Sequence, residues 1–347
     1  MNFLKRMSSA EVAEAMVGGC WEKPDKSFDL SSTLDIMRLP RSVQVIAYNE
    51  LRENEYTRNH ALVEFKKWIA DCRDIQDVNI DSNFLLRFLR VKKYSLPMAQ
   101  QMLLKYLNFR QKFSMYFFKM DCLEPSINEL VSDGFLFVSP FRDSHGRRVT
   151  ITIGKNIDFQ KYTKRDIACL HFMTYETLLR DEVNQVLGLT HFGDVANVSP
   201  SILSTFTPNE FARLVKWGEQ SVPIRHKKIH ILNVPSALKI LYDFFKTRIS
   251  EKLINRITMY NSLEELHKCI DKKVLPKEFG GIMPMAEMIE LWKKELLASR
   301  EALIVMDKMK ILSDKNIITR KTRTEKTKSI TNEIHLMNGS FRKLEVD

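Results

Sequence analysis

The sequence predicts an α/β fold, with a helical N-terminal subdomain followed by a mostly parallel sheet with crossover helices, on three observations. Apolar residues recur at helical spacing through 57–117, β-rich runs alternate with amphipathic stretches from about 134 onward, and glycine and proline number only 11 each in 347 residues. The last observation, with the lack of any fixed-period repeat, sets aside fibrous, solenoid and largely disordered classes. A hydrophobic content of 44% is enough to bury a large core.

Residues 1–56 form an N-terminal extension of mixed character, with a helix expected over 42–54. From Thr57, the apolar positions Leu62, Phe65, Trp68, Ile69 and Cys72 fall mostly three and four apart, which marks one buried helical face. A short, dense helix follows, with Phe84, Leu85, Phe88 and Leu89 on one side and Arg87 and Arg90 beside them. Ser95 offers an N-cap and Pro97 a first-turn proline for a third helix with Met98, Met102, Leu103, Tyr106 and Phe113 on its apolar face. These helices make the N-terminal subdomain, 57–117.

The main domain is expected over 118–285. Its first two strands, around 134–138 and 148–154, flank the turn signal Asp143, Ser144, His145, Gly146. A helix over 165–186, a strand near 189–192, a helix over 207–219 and a strand over 228–234 complete an alternation that requires parallel pairing with crossovers. Amphipathic helices are expected over 236–246 and 250–260 and a C-terminal helix over 286–312; the lysine- and threonine-rich tail 313–347 lacks apolar periodicity and is expected to be disordered.

A formal charge of +11 points to a polyanionic partner: nucleic acid, an anionic membrane or an acidic protein. No run approaches the roughly 18 apolar residues of a membrane span, and acidic residues stand where a signal peptide would be apolar. A cytoplasmic location is expected. Cys20, Cys72, Cys122, Cys169 and Cys269 are odd in number and widely spaced, which suits reduced thiols rather than a disulfide framework or a zinc site. Catalytic signatures are missing: GxSxG, GxGxxG after a strand, GxxxxGK[ST] and HExxH do not occur. His226 and His230 adjoin Lys227 and Lys228, where a metal cation would be repelled, and a triad from His191 and Asp194 would need a serine that only the fold could supply. Neither enzymatic activity, nor a cofactor, nor a metal is expected.

Four segments carry a resemblance. They are Ser82-Asn-Phe-Leu-Leu-Arg-Phe-Leu-Arg90 with Lys92, Lys93 and Ala99; Val222-Pro-Ile-Arg-His-Lys-Lys-Ile-His-Ile-Leu-Asn-Val-Pro235; Phe245-Lys-Thr-Arg-Ile-Ser-Glu-Lys252; and Leu275-Pro-Lys-Glu-Phe-Gly-Gly281. In order and spacing they resemble signatures of the CRAL-TRIO lipid-binding family, in the branch of the tocopherol transfer and retinaldehyde-binding proteins and the clavesins, and especially its insect relatives. The resemblance implies an α/β domain enclosing an apolar pocket, with a mobile helix closing it. Where many members have a glycine after an aspartate motif, this chain reads Gly193-Asp194-Val-Ala-Asn197, so the local turn differs.

The resemblance further implies a phosphoinositide site at Lys92, Arg225, Lys227, Lys246, Lys252 and Arg256, where convergent cations would make charge-assisted bonds to phosphate. Leu241, Phe244, Phe245 and Ile249 would belong to the lid, and His171, Tyr175, Leu189, Phe206, Leu214, Trp217, Val222, Ile224 and Ile229 would line the pocket. His171 and Tyr175 lie four apart on one helix and can both face the cavity to bond a hydroxyl or carbonyl. For any single apolar position, ordinary core packing competes with this role, and for any single surface cation a solvated face does. The expectation is a monomeric, peripherally membrane-associated carrier of one hydrophobic molecule such as a retinoid or tocopherol, exchanging it at phosphoinositide-containing membranes. The alternative is a phosphoinositide-binding trafficking adaptor without carrier turnover. A nucleic-acid binder lacks the expected recognition motif, and a lipid-modifying enzyme lacks a nucleophile.

Overall fold

The computed structural model describes residues 39–198 and 207–318. Helix α1, Arg41–Ile46, runs into a π-helical turn, Ala47–Leu51, which stops at Arg52 in the left-handed conformation (φ 67). Leu39, Val43, Ala47 and Leu51, spaced by four, bury one stripe against Val186 and Leu187. α2, Glu55–Asp71, starts where the Asn54 side chain accepts from the Thr57 N–H. β1, Ile75–Gln76, follows, then α3, Ser82–Val91, capped by Asp81, and α4, Leu96–Lys112. Ser95 occupies the N-cap position of α4 but makes no side-chain capping bond, so Pro97 in the first turn is what marks this start.

In α3 the run Phe84–Arg90 is wholly buried, arginines included. Burial of a guanidinium requires paired carboxylates. Arg87 Nη1 donates to Glu176 Oε2 at 2.6 Å, and the Tyr106 hydroxyl donates to the other oxygen of Glu176 at 2.7 Å. Arg90 donates to Glu53 through Nε (2.9 Å) and Nη2 (2.6 Å), to Gln185 at 2.8 Å and to Glu182 at 2.7 Å. These bonds tie the N-terminal helices to the helices that cover the sheet.

After α5, Ser114–Phe117, and α6, Pro125–Ser132, comes the hairpin of β2, Leu136–Arg142, and β3, Arg148–Ile153. Asp143 makes its turn by accepting from the N–H groups of His145 and Arg147, each at 2.9 Å. The helix expected over 165–186 is two: α7, Lys164–Leu178, opened by a Thr163/Asp166 capping box, and α8, Glu182–Leu187, opened by Asp181. The aspartate that looks like mid-helix polarity is a second N-cap. β4, Leu189–Asp194, α9, Pro208–Ser221, β5, His226–Leu232, and α10, Ser236–Lys246, continue the alternation.

The helix expected over 250–260 is replaced by a single turn, α11, Glu251–Ile254, and a strand, β6, Ile257–Tyr260. Ile-Thr-Met-Tyr suits a strand, and β5 offers an edge to pair with, Ile229 opposite Ile257 and Leu232 opposite Tyr260. The sheet order is β2-β3-β4-β5-β6, antiparallel only at β2/β3. α12, Leu263–His267, leads to the C-terminal helix α13, Met285–Val305. This helix is shorter than expected because the chain then forms β7, Lys310–Ile311, antiparallel to β1. Among the described residues no helix is long and apolar enough to cross a membrane.

Candidate lipid cavity and basic cluster

One face of the sheet, α7 and α9 enclose a cavity of about 470 Å³, within the range of small-molecule sites. Strand alternation supplies its floor: Thr150 and Thr152 from β3, His191 and Gly193 from β4, Ile229 and Ile231 from β5. Helical periodicity supplies its walls: Ile167, Ala168, His171 and Tyr175 from α7, and Phe211, Leu214, Val215 and Gly218 from α9. Val222, Ile224 and Leu253 close one end.

Of the sequence-predicted lining, His171, Tyr175, Leu214, Val222, Ile224 and Ile229 come together here. Phe206 lies outside the described residues. Two positions do not belong to the lining. Trp217 is off the 211, 214, 215, 218 face of α9 and turns outward, its ring 6.3 Å from Phe113 and under the Lys112 ammonium. Leu189 is buried at the start of β4, paired with His226 of β5, and is not among the cavity-lining residues.

The cavity also holds polar groups that sequence reasoning set aside. Thr150 Oγ1 lies 2.7 Å from His191 Nδ1, and His191 Nε2 lies 2.8 Å from His226 Nδ1, a continuous hydrogen-bonded row across three strands. The Tyr175 ring stands over both imidazoles, at 6.1 and 5.9 Å. Burial lowers the pKa of His171 and of His226 to about 4, the latter helped by the nearby Arg256 charge. Burial and the neighbouring histidines hold His191 well below its ordinary value. The rings are therefore neutral at pH 7. His191 has no tie to Asp194, which accepts from Asn233 at 3.0 Å, so the triad geometry is not formed. Among the described residues no group of three or more His, Cys, Asp or Glu could hold a metal ion.

Beside the cavity stands a cluster of cations. β5 makes it possible through a bulge: Leu189 pairs with His226 and Thr190 with Lys228, leaving Lys227 as the extra residue. Glu50, in the π-helical turn, meets both Arg225 (2.6 Å) and Lys227 (2.8 Å) through one carboxylate oxygen. Partial burial alone would raise the Glu50 pKa, but the hydrogen bonds and charges of the two cations bring it below the usual value. Arg225 also donates to the Val186 carbonyl. Burial lowers the Lys252 pKa, and so do the charges of Arg256, Arg225 and Lys93; Arg256 is lowered by burial, Arg225 and Arg147.

Arg225, Lys227, Lys252 and Arg256, four of the positions the resemblance implies, lie near one another, with Arg147 and Lys93, which the resemblance did not place there, close by. Lys92 serves as the C-cap of α3; the charge felt at Lys252 is that of its neighbour Lys93, whose φ is 51. Lys246 is turned onto its own helix, 3.2 Å from Asp243 and over the Tyr242 ring. In the predicted lid, the Arg248 guanidinium stacks on Phe244, and Ile249 is half-buried. The side chains of Leu241 and Phe245 lie outside the described residues.

A CRAL/TRIO domain model matches residues 132–281, the segment from the end of α6 through the sheet. Clavesin-2 of Mus musculus is 30% identical over 249 residues, covering 72% of this chain and 76% of its own, and Clavesin-1 of Xenopus laevis is 30% identical with 72% and 75% covered. The chain belongs to the CRAL-TRIO family. CRAL-TRIO membership, in the clavesin branch, makes it a lipid-binding protein. The solved structure titled "Crystal structure of Sfh5" has the same CRAL-TRIO architecture, with a TM-score of 0.51 at 14% identity over 73% of this chain and 98% of that one.

Proposed function

We propose that the protein is a carrier, without catalysis of its own, that holds one hydrophobic molecule in the cavity and exchanges it at phosphoinositide-containing membranes, acting at the cytoplasmic face as a peripheral protein. The observation that carries this reading is the junction of cavity and cation cluster on shared elements. On α11, Leu253 faces the cavity while the adjacent Lys252 belongs to the cluster. On β5, His226 lines the cavity between Arg225 and Lys227. A phosphate drawn to these cations would pull on the segment that closes one end of the cavity. Such a pull shifts closed and open populations to the extent that the headgroup favours one of them.

Removal from water of a lipid's apolar surface supplies the binding energy, at roughly 25 cal/mol per Å². Leu214→Asp should abolish one-to-one loading of a fluorescent hydrophobic probe while circular dichroism stays unchanged. Each cation near an anionic surface contributes about 1 kcal/mol, so Lys252→Ala with Arg256→Ala should weaken binding to phosphoinositide vesicles about 30-fold. Vesicle binding that survives the double variant would remove the cluster from the membrane contact. Strong vesicle binding with no probe loading in the wild type would favour the trafficking-adaptor reading.

A further inference from the structure

Four histidines, His171, His191, His226 and His230, line one cavity. Two of them belong to the row in which Thr150 Oγ1 lies 2.7 Å from His191 and His191 lies 2.8 Å from His226. Among the described residues His226 Nε2 has no hydrogen-bond partner, so the row ends at the cavity. In a row of neutral imidazoles the tautomers are coupled. When Thr150 accepts from His191 Nδ1, His191 Nε2 accepts from His226 Nδ1, and His226 Nε2 is left as a bare acceptor. A proton taken up there makes His226 an imidazolium that still donates to His191, so the row accepts one charge without losing a hydrogen bond. The point of uptake faces whatever fills the cavity.

The elements around the rings leave such a charge uncompensated. α7 contributes His171 and Tyr175, whose hydroxyl is kept protonated by burial, its pKa pushed up to about 12. On β5, His230 is tied through Nδ1 to the Tyr260 hydroxyl at 2.8 Å. Among the described residues the one carboxylate of the lining is Glu219 of α9, which is engaged by the backbone N–H and hydroxyl of Ser250. Arg256, just before β6, opposes a charge on His226, and His226, His171 and His230 each oppose one on His191. A first proton therefore works against a second. Facing an apolar guest, an imidazolium is desolvated; facing water, it is solvated.

We infer that these histidines make retention of the guest sensitive to protons: the loaded cavity holds them neutral, and replacement of the guest by water is accompanied by uptake of one proton among His171, His191 and His226. This rests on the carrier reading above. Burial holds His171 and His226 near 4, whereas a hydrated ring approaches the ordinary 6.5. Between those values release takes up a proton, so acid favours the empty state. With one proton linked to release, affinity for a guest should fall about tenfold from pH 7.5 to pH 5.5.

The neutral fluorescent probe N-phenyl-1-naphthylamine, which does not titrate in this range, tests the inference on the full chain. Its Kd, taken from the signal that Leu214→Asp abolishes, should rise about tenfold between pH 7.5 and pH 5.5 while circular dichroism stays unchanged. Calorimetry of probe binding at pH 5.5, in two buffers of different ionisation enthalpy, should show about one proton released per probe bound. His171→Gln with His191→Gln and His226→Gln should still bind the probe at pH 7.5 and lose both effects. The wild-type proton count decides by itself if that variant does not fold. An unchanged Kd or no proton exchange in the wild type, or full pH dependence in the folded triple variant, would overturn the inference and leave the carrier reading standing. Failure of the probe to load at any pH would remove both.

Discussion

Glu50 engages two of the cations assigned to the proposed phosphoinositide site. Its carboxylate contacts Arg225 and Lys227 at 2.6 and 2.8 Å and is 44% exposed, while the two cations are 14% and 19% exposed. Phosphoinositide binding at the cluster must displace this carboxylate or share the cations with it. Exposed ion pairs are each worth about 0.2–1 kcal/mol, so two such contacts on a half-exposed carboxylate oppose the headgroup by about 1 kcal/mol. Glu50→Gln keeps the shape and an acceptor oxygen for Arg225 but removes the competing charge. It should therefore strengthen binding to phosphoinositide vesicles about fivefold. Vesicle flotation at fixed lipid composition reads this directly. Repeated at high salt, the gain should shrink, because a Debye length near 8 Å at physiological ionic strength falls to about 3 Å at 1 M. Unchanged or weaker binding by Glu50→Gln would instead assign Glu50 to holding Arg225 and Lys227 in place.

Two further outcomes follow from buried charge. The cavity histidines have folded pKa values below the ordinary 6.5, about 4 for His171, so between these values the unfolded chain binds more protons than the folded one. Stability should be fully present above about pH 6.5 and fall as the pH drops toward 4, by about 3 kcal/mol for a ring such as His171 once titrated; urea unfolding at pH 7, 5 and 4 measures it, and His171→Phe should flatten the profile. Glu53→Gln would leave Arg90, which is fully buried, without its bidentate partner. It should cost about 3–5 kcal/mol, read as a lowered melting temperature, and a cost under 1 kcal/mol would show that Glu182 and Gln185 suffice.

Much of the fold was legible because the strongest local signals were also the tertiary ones. The Asp143–Gly146 turn between two β-rich runs became the β2/β3 hairpin, and the β/α alternation beyond it became the parallel sheet. Where local pattern and partner disagreed, the partner decided. Ile257–Tyr260 is amphipathic enough for a helix, yet the free edge of β5 makes it a strand. Within the site, the 211, 214, 215, 218 periodicity of α9 could have excluded Trp217 from the cavity without a structure. Glu50, Arg147 and Lys93 could not have been found that way, because their place in the cluster depends on chain crossings 175 residues apart in sequence in the case of Glu50 and Arg225. His191 and His226 look unrelated in sequence; adjacent parallel strands put them 2.8 Å apart.

In the proposed function, the chain moves a hydrophobic molecule and the cation cluster directs where it is delivered. Transfer of a fluorescent hydrophobic probe from loaded protein to acceptor vesicles, with and without phosphoinositide, tests it most directly. Transfer should be faster to phosphoinositide vesicles, and Lys252→Ala with Arg256→Ala should lose that advantage while probe affinity in solution is unchanged. Equal transfer rates to both kinds of vesicle by the wild-type protein would contradict it.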